Sequence, residues 1–180
     1  MKLQQHAPRL SMPVSERDHL QGAPDAPVTL LEYGDYECPY CGRAYPIIKE
    51  IQRELGERLR FIFRNFPLNT IHEHAGVAAQ AAEAAAAQGK FWEMHDLLYE
   101  HQDELGEADL REYALKLGLE IYRFDADLSG EVFARRVRDD FRGGVRSGVN
   151  GTPTFFINDV RYNGGLDHDE LLDALRRAGA

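Results

Sequence analysis

The sequence predicts an α/β fold in which a β-α-β unit and a β-β-α unit share one mixed sheet and flank a long helical block. Two apolar runs, residues 28–33 and 59–66, have the composition of strands and enclose a segment of helical composition. Residues 72–147 have almost wholly helical composition, and two short apolar runs joined by turn residues follow them. A helix between the first two strands implies a parallel pair with a right-handed crossover.

Each element of the first half has its own signal. Residues 1–26 are polar and contain several prolines, so we expect an extended N-terminal arm that is weakly ordered at its start. The nearly continuous apolar run at 28–33 is typical of a central strand covered on both faces. A helix is expected over residues 41–55, kinked at Pro46, and a second strand over residues 59–66.

The helical block carries several separate helix signals. They are an alanine-rich tract at 78–87, an amphipathic segment at 90–100, a capping-box-like start at Asp109 and a segment at 131–141. Gly143 and Gly144 should weaken the helix that precedes them, because glycine lowers helix propensity.

The second half of the fold is predicted from turn and cap residues. Strands are expected at 154–157 and 160–162, joined by a tight turn at Asn158 and Asp159. Asp167 should cap a final helix. The predicted organisation is an arm over 1–26, one domain formed by 27–71 together with 148–180, and a helical insertion over 72–147.

The two cysteines of the chain, Cys38 and Cys41, form a C-x-x-C motif between the first strand and the first helix. Two thiols at this spacing can close and reopen a small-ring disulfide and so exchange two electrons with another dithiol. The strand-to-helix context favours redox chemistry over half of a zinc site. No histidine pair with zinc-site spacing accompanies the motif, so we expect no metal; the histidines considered are His72, His74, His95 and His101.

Composition narrows the class of protein. The net charge of −9 argues against nucleic acid as a partner, and no stretch approaches the ~20 apolar residues of a membrane span. The opening residues lack an apolar signal segment, which predicts a cytoplasmic location, or an exported one if a leader has been removed. Cytoplasmic thiols are mostly reduced, so a catalytic or redox-sensing dithiol is expected rather than a structural disulfide. We expect a monomer without a cofactor.

Four features together resemble the thioredoxin fold with a helical insertion, as in the DsbA-like disulfide oxidoreductases. They are Cys38-Pro39-Tyr40-Cys41 at the strand-to-helix junction, Glu32 where this superfamily often has a buried acid, Pro46 at the place of a helix kink, and Gly151-Thr152-Pro153-Thr154 before a strand. The resemblance covers most of residues 28–178. The best-known periplasmic oxidants of the group have histidine where this chain has Tyr40, and strong oxidising power is therefore not implied.

Position and resemblance together assign roles to the motif residues. Cys38 should be the nucleophile, because helix-terminal N–H groups and the helix dipole favour its thiolate. Cys41 should resolve mixed disulfides, and Glu32 should transfer its proton. The negative charges of Asp35 and Glu37 should oppose ionisation of Cys38, so we expect a milder oxidant.

The resemblance also implies how substrate is bound. It predicts a cis Thr152–Pro153 peptide bond facing the dithiol, although cis is rare among X-Pro bonds in general. Pro39 and Tyr40 should form the surface beside the nucleophile. An extended substrate could then pair with the backbone around Thr152.

Protein thiols or disulfides are the expected substrates, with an unidentified redox partner for which glutathione is one candidate. A glutathione-linked, glutaredoxin-like reductase is an alternative, favoured by the Cys-Pro-Tyr-Cys motif and disfavoured by the long insertion. A second alternative is a non-catalytic thioredoxin-fold module that senses redox state or binds metal through the dithiol. The direction of electron flow stays open.

Overall fold

A mixed five-stranded sheet organises residues 8–180, the part of the chain that the computed structural model describes. Its strands are β1 His19–Gly22, β2 Val28–Gly34, β3 Leu59–Asn65, β4 Thr154–Ile157 and β5 Val160–Arg161, in the spatial order β1-β3-β2-β4-β5. β2 and β3 are parallel as predicted, and the other pairs are antiparallel. The expectations for the start of the arm, residues 1–7, lie outside the described residues.

Helices cover both faces of this sheet. In the described chain they are α1 Pro39–Leu55, α2 Ala75–Ala86, α3 Phe91–Glu100, α4 Glu107–Lys116, α5 Ile121–Ser129, α6 Ala134–Arg146 and α7 His168–Arg177. Pro46 lies inside α1. No helix within residues 8–180 has both the length and the apolar character needed to cross a membrane.

The central strand β2 is buried along its whole length. Successive side chains of a strand point to opposite faces, so β2 contributes to two separate cores. Leu30 packs in the larger core with α1 and the helical block, whereas Leu31 and Tyr33 pack in a smaller core on the other face. Glu32 shares the face of Leu30, and this places a carboxyl group in the layer between the sheet and α1.

The hairpin and final helix form where they were predicted. Asn158 and Asp159 have φ values of 46° and 68°, the left-handed conformation that a tight two-residue hairpin turn requires. The Asp167 carboxylate accepts hydrogen bonds from the N–H groups of Asp169 and Glu170, and so caps α7.

The structure adds to or corrects three local predictions. The arm contains a strand, β1, which forms because its backbone pairs with β3, with His19 opposite Phe63. Helix α4 begins at Glu107, where the Asp109 carboxylate accepts a hydrogen bond from the Gly106 N–H at 3.1 Å, so Asp109 lies inside the first turn instead of preceding it.

The third correction concerns α6, which continues through Gly143 and Gly144 to Arg146. A Cβ atom at Gly144 would lie 2.7 Å from the Phe66 ring. The glycine is therefore required for close packing of α6 against the sheet, and this packing outweighs its low helix propensity.

Candidate functional site

The C-x-x-C motif lies at the N-terminus of α1, immediately after the turn that follows β2. Cys38 is the N-cap residue with an extended backbone, and its carbonyl accepts the first helical hydrogen bond, from Gly42 N–H at 3.0 Å. Pro39 is the first helical residue, a position where its missing N–H and fixed φ are compatible with the helix. The Cys38 thiol is thus placed at the positive end of α1.

Both cysteines are buried and unpaired, with Cys38 4% exposed and Cys41 fully enclosed. Hydrogen bonding from the Cys41 thiol lowers the pKa of Cys38 to about 5, against the opposing effect of burial. The Thr152 side chain and the N–H groups of Tyr40 and Cys41 lower the pKa of Cys38 further. Burial, reinforced by the hydrogen bond to Cys38, raises the pKa of Cys41 well above its usual value. The two pKa shifts therefore favour ionisation of Cys38 before Cys41.

Glu32 lies below the pair on the buried face of β2 and is 2% exposed. Burial and the charge of Cys38 raise the pKa of Glu32 to about 8, although a hydrogen bond from the Cys41 thiol acts the other way. Its Oε1 atom has no hydrogen-bond partner among the described residues. A carboxyl group in this state can take or give a proton near neutral pH.

The loop before β4 faces the dithiol. The Thr152–Pro153 peptide bond is cis. The carbonyl oxygen of Thr152 accepts a hydrogen bond from the Cys38 thiol at 3.4 Å. Within the described chain, the Thr152 hydroxyl has no hydrogen-bond partner, so it can donate to the Cys38 thiolate once that forms.

A surface groove runs beside the dithiol and contains three of the four residues predicted to bind substrate. Tyr40, Thr152 and Pro153 line it together with Tyr162 and Leu166 of the segment after β5. Tyr40 is 60% exposed, and the Arg43 guanidinium lies 4.3 Å from its ring centroid. Pro39 is exposed at the start of α1 and does not line this groove.

The two acidic residues before the motif, Asp35 and Glu37, each lie beside a histidine. The carboxylate of Asp35 lies 2.7 Å from His72 Nδ1, and that of Glu37 lies 3.2 Å from His74 Nδ1. Glu37 also accepts a hydrogen bond from the His74 N–H. Each acid therefore faces a histidine, which the sequence analysis did not predict, and the expectation of a milder oxidant stays a prediction.

Gln102, which follows α3, is a site residue that the sequence analysis missed. Its Nε2 donates hydrogen bonds to the carbonyl oxygens of Tyr36 at 2.8 Å and Cys38 at 2.9 Å. A Cβ atom at Gly42 would collide with the Gln102 side-chain amide, so the glycine of the motif helix makes room for it. No local sequence signal identifies Gln102, because its partners lie more than 60 positions away in the chain.

The remaining candidates lie away from the dithiol. The ring of His95 is buried, with its Nδ1 3.1 Å from the Tyr36 hydroxyl, and the Nδ1 of His101 lies 3.0 Å from the Leu97 carbonyl oxygen. Within residues 8–180 no group of three or more histidine, cysteine or acidic side chains could hold a metal ion. The apolar residues of α3 pack in the core and do not line the groove beside the dithiol.

Replacing Glu32 by Gln should change how stability depends on pH. The folded-state pKa of Glu32, about 8, lies above its ordinary value of 4.5, so its contribution to stability is fully present at low pH and is lost as the pH rises. Between pH 5 and 7 the free energy of unfolding of the wild type should fall by about 2 kcal/mol relative to that of Glu32→Gln. Urea denaturation of both reduced proteins at the two pH values measures this.

Glu93→Gln is the control for that experiment, since Glu93 is an exposed carboxylate on α3 whose pKa is lowered by its hydrogen bond from Lys90. Its stability difference from wild type should not change between pH 5 and 7. Equal pH dependence in wild type and Glu32→Gln would contradict a carboxyl group that titrates near neutral pH in the core.

Comparison with known proteins identifies relatives along almost the whole chain. The model of a family described as Thioredoxin matches residues 14–177. A protein named Na(+)/H(+) antiporter NhaA 1 from Salinispora arenicola is 47% identical over 172 residues, and one of the same name from Mycobacterium sp. (strain KMS) is 47% identical over 162 residues. These matches cover 95% and 89% of this chain but 26% of each relative. The chain therefore spans about a quarter of the length of these curated relatives.

Solved structures share the fold. An oxidoreductase described as thioredoxin-like from Silicibacter pomeroyi DSS-3 matches with a TM-score of 0.80 at 28% identity, covering 91% of this chain and 93% of that one. BdbD from Bacillus subtilis, in its oxidised form, matches with a TM-score of 0.81 at 27% identity over 96% and 97%. Alpha-DsbA1 from Wolbachia pipientis matches with a TM-score of 0.76 at 21% identity over 94% of each chain, which shows the fold alone. The predicted fold class is confirmed.

Proposed function

Because this chain belongs to the thioredoxin family, we propose that it is a thiol–disulfide oxidoreductase in which Cys38 and Cys41 exchange electrons with protein thiols or disulfides. The observation that carries this proposal is the opposite shift of the two thiols. The pKa of Cys38 is lowered to about 5, while that of Cys41, one helical turn away, is raised. At neutral pH the Cys38 sulfur can attack a disulfide as a thiolate, whereas Cys41 keeps its proton until it attacks the mixed disulfide.

In the reducing direction the Cys38 thiolate attacks one sulfur of a substrate disulfide. The substrate S–S bond breaks, a mixed disulfide forms with Cys38, and the first substrate sulfur leaves as a thiolate. Cys41 then loses its proton and attacks the Cys38 sulfur, which closes the Cys38–Cys41 disulfide and releases the second substrate sulfur. Two electrons pass to the substrate, and the oxidising direction is the reverse of these steps.

Glu32 is the group we propose for the Cys41 proton. It is buried, its pKa responds to both cysteines, and its pKa of about 8 allows it to take up and return a proton near neutral pH. Ionisation of Cys41 in this enclosed position would otherwise be unfavourable, because burial strongly disfavours its thiolate.

The groove beside the dithiol is the proposed substrate site. An extended segment lying along Thr152 and Pro153 would bring its sulfur to Cys38, whose thiol already contacts the Thr152 carbonyl. The exposed Tyr40 ring would pack against apolar parts of the substrate. We propose protein thiols or disulfides as the substrate class, and we propose that the chain acts as a monomer.

The transport activity in the names of the curated relatives is not part of the proposal. Each match covers 26% of the relative's length, and the names belong to those longer proteins. The function that we propose concerns only residues 14–177, which match the thioredoxin family.

The experiment that tests the proposed function is the equilibrium reduction potential of the Cys38–Cys41 pair. The protein is equilibrated in defined glutathione buffers, and the disulfide fraction is measured by mass spectrometry. A value near about −270 mV supports a reductase and the cytoplasmic location that we propose, whereas a value near about −120 mV supports a strong oxidant and an exported one. Failure to form the Cys38–Cys41 disulfide at any potential would contradict the proposed function.

The glutathione-linked alternative rests on the Cys-Pro-Tyr-Cys motif of residues 38–41. It requires that glutathione, instead of a protein, forms the mixed disulfide with Cys38. The non-catalytic alternative requires tight partner or metal binding by the reduced dithiol together with slow exchange. The cysteine variants described in the Discussion separate both from the proposed function.

A further inference from the structure

The carboxylate of Asp35 joins the loop that precedes the C-x-x-C motif to the segment between β3 and α2. It is fully buried, and its Oδ1 accepts a hydrogen bond from the Glu37 N–H at 2.8 Å. Its Oδ2 accepts a hydrogen bond from the Leu68 N–H at 2.9 Å and lies 2.7 Å from His72 Nδ1. The Asp35 carbonyl accepts a hydrogen bond from the Cys38 N–H at 3.1 Å. The same residue therefore positions both the nucleophile and His72.

His72 comes from the segment between β3 and α2, and its side chain is 15% exposed. Although burial alone would lower it, the pKa of His72 is raised because Asp35 accepts its hydrogen bond and because the charges of Asp35, Cys38 and Glu37 favour the imidazolium. Two backbone N–H groups partly neutralise the Asp35 carboxylate, and His72 adds a full positive charge beside it when the imidazole is protonated.

We infer that His72, held in place by Asp35, is a positioning residue whose positive charge stabilises the Cys38 thiolate and thereby sets the redox balance of the site. The effect of His72 on the redox balance rests on the proposed function. Its electrostatic part concerns only the reduced protein.

Among the charged groups near Cys38, His72 is the one that balances the negative charge of Asp35. Glu37 faces His74, and that pair is more exposed, with side-chain exposures of 24% and 42%. Glu32 of β2 and Cys41 of α1 are the other titratable groups that interact with Cys38. The negative charge of Glu32 opposes the thiolate, and Cys41 supports it only by hydrogen bonding.

The experiment compares His72→Gln with His74→Gln, a matched histidine variant two positions away. The pKa of Cys38 is measured in the reduced proteins from the ultraviolet absorbance of the thiolate as a function of pH. His72→Gln should lower the ionisation constant of Cys38 about three- to tenfold, because it leaves the Asp35 charge uncompensated. His74→Gln should leave the ionisation constant of Cys38 within twofold of wild type.

The same change should appear in the reduction potential. A three- to tenfold weaker thiolate corresponds to a potential lower by about 15–30 mV for a two-electron couple. The difference between wild type and His72→Gln should disappear at a pH above the pKa of His72, where the wild-type imidazole is neutral. A role limited to packing would leave a difference that does not depend on pH.

Two further variants keep the test decisive if His72→Gln is poorly folded. His72→Lys retains a positive charge and should keep the Cys38 ionisation constant within about twofold of wild type up to the titration of lysine. The double variant Asp35→Asn with His72→Gln removes both charges. Its Cys38 ionisation constant should return most of the way from the His72→Gln value to the wild-type value.

The inference is overturned if folded His72→Gln and His74→Gln shift the ionisation of Cys38 equally, or if His72→Lys behaves like His72→Gln. The thiolate titration needs only the reduced protein. A chain that never forms its disulfide would therefore contradict the proposed function while the titration still decides the role of His72.

Discussion

Cys38→Ser should abolish disulfide exchange, whereas Cys41→Ser should accumulate mixed disulfides between Cys38 and its substrate. The first variant lacks the thiolate, whose pKa of about 5 makes it the attacking sulfur at neutral pH. The second still attacks but lacks the thiol that releases the substrate. Turnover with a disulfide-bonded model protein, followed by mass spectrometry under non-reducing conditions, measures both outcomes.

The mixed disulfide that Cys41→Ser accumulates also distinguishes the proposed function from the glutathione-linked and non-catalytic alternatives. Cys41→Ser is incubated in parallel with oxidised glutathione and with a disulfide-bonded protein, and wild type is the control. Preferential trapping of the protein supports the proposed substrate class, and a stable adduct with glutathione alone supports the glutaredoxin-like alternative. Equal residual turnover in the two cysteine variants would contradict the assigned roles, and tight metal or partner binding without exchange would support the non-catalytic module.

Asp18→Ala should destabilise the protein by about 3 kcal/mol, because it removes the charged partner of a buried guanidinium. Arg64 of β3 donates hydrogen bonds to the Asp18 carboxylate at 2.7 and 2.9 Å, and the two side chains are 6% and 5% exposed. Arg64 also donates to the backbone carbonyls of Met12 and Pro13 and to the Tyr33 hydroxyl. The ion pair thus attaches the N-terminal arm to the sheet.

Thermal and urea denaturation measure this loss, which corresponds to a fall in Tm of about 10 °C for a domain of this size. The control is Asp125→Ala, which breaks the exposed Arg111–Asp125 pair, with side-chain exposures of 48% and 40%. That change should cost less than about 1 kcal/mol. Similar losses in both variants would mean that the Arg64–Asp18 pair does not anchor the arm more strongly than a surface ion pair does.

Local sequence signals were sufficient for the reactive pair and for most elements. The spacing of Cys38 and Cys41, and their place between a strand and a helix, predicted the redox pair and its proposed nucleophile without any knowledge of distant contacts. The resemblance to DsbA-like thioredoxin-fold proteins is confirmed by the family match over residues 14–177 and by the structural neighbours. The turn at Asn158 and Asp159 was predictable because the left-handed conformation is favoured by few residue types.

Elements whose existence depends on a partner could not be predicted. Strand β1 has only one apolar residue in four, Leu20, and it forms because the exposed edge of β3 is available for pairing. Helix α6 continues through Gly143 and Gly144 because it packs closely against the sheet, where Phe66 occupies the space that a side chain at position 144 would need. In both cases a contact made by tertiary packing outweighs the local propensity.

The charged groups around Cys38 show the same difference between what local sequence predicts and what tertiary packing decides. From the sequence, Asp35 and Glu37 were expected to oppose the thiolate because they are its neighbours in the chain. The structure pairs Asp35 with His72, 37 positions away, and places Gln102 on the Tyr36 carbonyl from 66 positions away. Sequence by itself determined the fold class and the position of the two cysteines that we propose to react, because those follow from local composition and spacing. Only the tertiary structure decided how the two thiols differ in pKa, because burial and hydrogen-bond partners arise when distant segments pack together.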